Sequence, residues 1–170
     1  MANDTDIFFG PLENLRDLVA ASTAFRTLVG AEDAAAAKGS IYIPGLAAGV
    51  AAARPFAVVD QGEEWNRDAG GRAGGSLFLL FEIDVSAAQD DDTPTQMEAA
   101  HRAFMVAVGT ILDQMIDASV ADTAGALLHL RTKSPCYSLL DGPNRTDKAD
   151  RASAGDFYQA VFQVYWGIGA

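Results

Sequence analysis

The chain has 170 residues, 49% of them hydrophobic, with 12 basic against 23 acidic side chains and a formal net charge of −11. That length fits one domain with a real core, and the charge excludes nucleic-acid binding as a main activity, because the DNA backbone and anionic lipid both repel such a surface. No apolar run reaches the roughly 20 residues of a membrane span, the start Met1-Ala2-Asn3-Asp4 does not read as a signal peptide, and a single cysteine, Cys136, forms no internal disulfide.

After a flexible start over residues 1–10, the first predicted element is a helix from Pro11 to Val29. Gly10 suits its N-cap, Pro11 its first position, and Glu13 its positive first turn. Leu12, Leu15, Leu18, Val19, Phe25, Leu28 and Val29 form a broad apolar stripe, and Gly30 supplies the stop. The alanine-rich stretch Ala31 to Lys38 predicts a short helix, and Ile41-Tyr42-Ile43 a short strand. Residues 45–54 fit a weak helix or a loop equally well. Phe56 to Asp60 reads as a strand opened by Pro55.

Gln61 to Gly75 carries five glycines and predicts a loop. Ser76 to Ser86 alternates as a strand, with Leu77, Leu79, Phe81, Ile83 and Val85 on one face. Phe78, Leu80, Glu82 and Asp84 take the other, which turns polar and is expected to meet solvent or a partner. The two strands and the loop form a long hairpin. Thr93, Pro94 and Gln96 predict a capped helix start beside Asp90, Asp91 and Asp92, and apolar spacing from Met97 to Ile116 carries that helix to about Val120. Gly125 to Ser134 is ambiguous. Tyr137 to Leu140 predicts a short strand, Asp141 to Asn144 a turn, and Arg145 to Gly155 a polar loop. Phe157 to Ile168 is a half-buried strand with Tyr158, Ala160, Phe162, Val164, Trp166 and Ile168 on one face. The order implies a single α+β domain: a largely antiparallel sheet with helices packed on one face.

Catalytic patterns are mostly missing. The Gly70 to Ser76 stretch lacks the lysine of a phosphate loop. His101 falls on the exposed side of the long helix in most registers. His129 lies in the ambiguous segment. Cys136 has no activating base among its sequence neighbours, so all three read as structural. Capping explains Asp90 to Asp92 without a metal. No cofactor, metal or catalytic residue is assigned. The candidate partner contacts lie in the hairpin loop: Glu63, Glu64, Trp65, Arg67 and Arg72. Tryptophan and arginine are common interface anchors, and Trp65 there either folds back on the body or meets a partner.

Four segments together resemble the tail-terminator (tail-completion, minor tail) proteins of long-tailed bacteriophages and their prophage relatives. They are the opening helix from Leu12 to Gly30, Arg54-Pro55-Phe56-Ala57-Val58-Val59 at the hairpin, the long helix after Asp90-Asp91-Asp92-Thr93, and the ending Phe157 to Gly167. The resemblance implies a non-enzymatic α+β subunit of a ring, typically hexameric, that caps the tail tube and joins it to the head. Its partners would be further copies of itself, the tube protein and connector proteins, with DNA at most passing through. Its place would be the virion tail, after assembly in the bacterial cytoplasm. Two other readings stand beside it: a small-molecule-binding or enzymatic α+β domain, motivated by the two histidines and the glycine-rich loop, and a generic adaptor domain.

Overall fold

The computed structural model describes residues 9–43, 54–67, 73–84, 94–121, 129–130, 137–146 and 157–168. The first helix, α1, runs Gly10–Ala21, with Pro11 in its first turn and Phe9, not Gly10, at the N-cap. The apolar stripe continues past residue 21, but the helix does not. Ser22 turns to φ −61°, ψ 123°, and a second helix, α2, runs Thr23–Val29. The reason is a polar cap assembled from afar. The Ser22 hydroxyl accepts from the Phe25 N–H at 3.1 Å and donates to the Gln114 Oε1 at 2.8 Å. The same Gln114 oxygen accepts the Ala24 N–H at 3.0 Å. Two N–H groups left over at the start of α2 are thereby satisfied. Gly30 stops α2 in the left-handed region at φ 68°, as its glycine predicts. The short α3, Ala34–Ala37, is capped by Asp33, whose carboxylate accepts from the Ala36 N–H at 2.8 Å.

The remaining elements are β1 (Ile41–Tyr42), β2 (Phe56–Arg67), β3 (Ala73–Asp84), α4 (Pro94–Ala121), β4 (His129–Leu130), β5 (Tyr137–Thr146) and β6 (Phe157–Ile168). The sheet runs β1-β2-β3-β6, with both β4 and β5 on the far side of β6. Among the described residues β1 with β2 is the one parallel pair, and the other pairs are antiparallel. The C-terminal strand is therefore an interior one, joined to β3 over its full length, Ala73 opposite Ile168 through Asp84 opposite Phe157.

Three boundaries differ from the sequence reading. The loop expected over residues 61–75 is mostly strand: β2 continues to Arg67, β3 starts at Ala73, and only 68–72 lie between. Pairing to β6 holds the glycine-rich stretch extended, because Gly74 and Gly75 face Gly167 and Trp166. The turn expected at Asp141 to Asn144 is instead the irregular middle of β5, with register shifts on either side of Asp141, and Arg145 and Thr146 belong to the strand. The Thr93 cap, the three aspartates, Val85 and Cys136 fall outside the described residues.

The helices cover one face of the sheet, as an α+β fold requires. Leu12, Leu15, Leu18 and Val19 of α1 and Phe104, Val108, Ile111, Leu112 and Met115 of α4 pack with Ala57 and Val59, with Leu77, Leu79 and Phe81, and with alternate residues of β6 from Tyr158 to Trp166. The period of two along the strands and the 3.6-residue period along α4 select these residues. Phe81 sits at the centre, 6.2 Å from Phe25 and 6.4 Å from Phe162 between ring centroids. Each such fully buried side chain contributes roughly 1.5–3 kcal/mol. No helix among the described residues is long and apolar enough to cross a membrane.

Candidate functional site

The candidate contact residues lie on strand β2 rather than in a loop. Glu63 is exposed. Glu64 follows it, Trp65 stands opposite Gly75 and Arg67 opposite Ala73. Arg72 lies outside the described residues. Between Gln61 and Trp65 the register shifts, so Gly62, Glu63 and Glu64 together face the single residue Ser76. This bulge requires glycine at 62. A Cβ built there falls 2.5 Å from the Ser76 carbonyl carbon and oxygen. Bulges bend a strand and re-aim its neighbours; Glu63 and Glu64 fall within this one, between the two regular stretches of pairing.

Among the described residues, most of the outer side of β2 has no paired strand. The two residues of β1 cover it only at Ala57 and Val58. From Val59 to Arg67 no strand lies beyond it among the described residues. On the opposite side of the sheet β5 and β4 pair with β6 alone. An uncovered strand presents a row of backbone N–H and C=O groups that another strand can satisfy. Asp60 and Gln61, at the start of the uncovered stretch, are both exposed.

The sheet face opposite the described helices carries a polar cluster that the alternation pattern assigned to solvent or a partner. Glu82 is instead buried, at 2% exposure. One carboxylate oxygen pairs with the Arg54 Nε at 3.2 Å and the other accepts from the Gln159 Nε2 at 2.8 Å. Arg54 precedes β2, Glu82 lies on β3 and Gln159 on β6, so one carboxylate ties together three neighbouring strand regions. Further along the same face the Gln163 Nε2 donates to the Ser76 hydroxyl at 3.0 Å, and the Tyr165 hydroxyl donates to the Gln163 Oε1 at 3.0 Å. The sequence left Arg54 at the end of the ambiguous stretch 45–54, with no partner assigned to it. A glutamate inside a run of apolar strand residues was the available signal for a buried partner.

The histidines do not converge. His101 is half-buried and its ring stacks on Tyr158, 5.3 Å between centroids and 3° from parallel, with Phe104 on the same tyrosine at 5.7 Å. That contact corrects the exposed helix position expected for it: a tyrosine from the interior strand reaches α4 at this point. His129 stands in β4 opposite Gly167. Among the described residues no group of three or more His, Cys, Asp or Glu stands close enough to hold a metal ion. What the described surface offers is backbone pairing along an open edge, flanked by acidic side chains. No protein-family model matches the chain, and no curated protein matches it significantly.

Proposed function

We propose that the chain is a structural subunit of a long bacteriophage tail, a tail terminator or head-tail connector that assembles into a hexameric ring, caps the tail tube and joins it to the head. One observation carries this reading: among the described residues no strand pairs with the outer edge of β2 from Val59 to Arg67, while the helix-covered face of the sheet is buried. A domain with a complete core and an open strand edge is suited to building with copies of itself. The order of opening helices, hairpin, long helix and closing strand is the order on which the resemblance rests, with the opening helix broken at Ser22. The net charge of −11 suits a ring through which DNA passes without being held. The tube protein and the connector proteins are then its partners, the virion tail its place, and its work is done by contact and not by catalysis.

The test is the oligomeric state of the full chain, by native mass spectrometry and negative-stain microscopy, alone and with purified tail tubes. Six-membered rings, free or on tube ends, support the reading. A chain that stays monomeric in both settings and leaves the tubes bare contradicts it.

A further inference from the structure

Four long strands cross the sheet in the order β2, β3, β6, β5, each antiparallel to the last. Because the number is even, β2 and β5 run in opposite directions. A copy placed beside this one by rotation about an axis along the strands brings its β5 next to β2, and that contact is again antiparallel. Head-to-tail repetition of this kind closes rings.

The rungs of the ladder fix which residues meet. Val59, Leu79, Phe162 and Leu139 lie on one rung. Asp60, Phe78, Gln163 and Ser138 form the next, and Gln61, Leu77, Val164 and Tyr137 the one after. Nearer the tip, Trp65, Gly75, Trp166 and Leu130 share a rung, as do Asn66, Gly74, Gly167 and His129. Joining like rungs matches the two edges part by part. The regular stretch Tyr137–Leu139 of one copy meets Val59–Gln61 of the next, where the uncovered edge of β2 begins. Its β4 meets Trp65 and Asn66. The irregular part of β5 around Asp141 to Pro143, where an outer strand is poorly accepted, falls at the height of Ala57 and Val58, which β1 already covers. A slip by two residues keeps faces matched but drives the regular stretch into the Gly62–Glu64 bulge or onto β1.

We propose that copies of this chain join edge to edge, with Leu139, Ser138 and Tyr137 of one copy pairing antiparallel with Val59, Asp60 and Gln61 of the next, and Leu130 and His129 with Trp65 and Asn66. This rests on the ring reading and names its joint. The occupant is a second copy and not a foreign strand, because both edges belong to this chain and their regular and irregular parts coincide rung for rung.

The experiment is cysteine cross-linking in a Cys136→Ser background. Asp60→Cys with Ser138→Cys places two thiols on one rung across the joint, within the about 4.4–6.8 Å between Cα atoms that a disulfide spans. Gln61→Cys with Ser138→Cys is the control, one residue out of register and on the other face. Single variants are checked for unchanged melting, and particle size is measured in parallel by light scattering. The expected result is a ladder of disulfide-linked multimers for the first pair and none for the control. Assemblies of normal size with no ladder, or with equal ladders from both pairs, overturn the joint and leave the ring standing. Monomers only, by light scattering, overturn ring and joint together. In tailed particles carrying the Asp60→Cys and Ser138→Cys pair, a cross-link from position 60 to a different virion protein assigns the edge to that protein and overturns self-pairing.

Discussion

Replacing Glu82 by alanine withdraws the carboxylate from a guanidinium that is itself nearly inaccessible: the Arg54 side chain is 7% exposed and that of Glu82 2%. The gain from such a pair over an apolar substitute is small, because desolvating both charges costs about as much as their attraction returns. Removing one partner alone is different, since the desolvation of the remaining buried charge is then no longer offset by its attraction to the other. The expected loss is about 3–5 kcal/mol, which for a domain of this length lowers the melting temperature by roughly 6–20 °C. Gln159 loses its acceptor in the same step, so the effect belongs to the cluster and not to one bond. Urea denaturation and calorimetry read the loss. The companion variant, Arg54→Met with Glu82→Leu, removes both charges at similar volume and is expected to recover most of it. A Glu82→Ala variant that loses under about 1 kcal/mol, the range of an exposed pair, would refute the reasoning. So would a double variant no better than the single one.

Other substitutions test separate parts of the account. Gln114→Ala leaves the Ser22 hydroxyl and the Ala24 N–H without their shared acceptor; a loss of about 1–3 kcal/mol is expected, with faster amide exchange at Ala24 as its local sign. Gly62→Ala forces a methyl group against the Ser76 backbone, and thermal melting is expected to show a cost of about 1–3 kcal/mol. Gly109→Ala, in the middle of α4 with no described atom beyond its neighbours and its own helix backbone within 4 Å of the added carbon, is expected to stabilise by roughly 0.5–1 kcal/mol. Opposite signs at the two glycines separate close approach from helix propensity; a gain at Gly62 contradicts the first assignment, and a loss at Gly109 the second.

The elements with a strong period were legible in the sequence. The alternation in β3 and β6 and the helical spacing in α4 located the core before any fold was known, since burial on one face follows directly from chain geometry. Gly30 was legible too, because the left-handed stop needs a glycine there. What escaped was set by partners distant in the chain. The break at Ser22 depends on Gln114, 92 residues away, and no local pattern announces it. The glycines from Gly62 to Gly75 read as a loop by composition, yet pairing with β6 extends Gly74 and Gly75 as strand. Asp141-Gly142-Pro143-Asn144 has turn chemistry, and a place at the outer side of β6 accommodates it as an irregular strand instead. Four of the five candidate contact residues, expected in a loop, belong to β2, and the sheet order that leaves this part of β2 outermost among the described residues was invisible in the sequence. The buried Arg54–Glu82–Gln159 cluster was missed for the same reason: alternation tells which residues share a face and not what covers it.

The central claim is that this chain caps a tail as a ring. Quantitative mass spectrometry of purified tailed particles, or of tail-like particles induced from the source organism, tests it most directly. The account predicts this chain at a copy number near that of a single hexamer, far below the tube protein. Its absence from particles that are otherwise complete, or a copy number rising with tail length, contradicts the account.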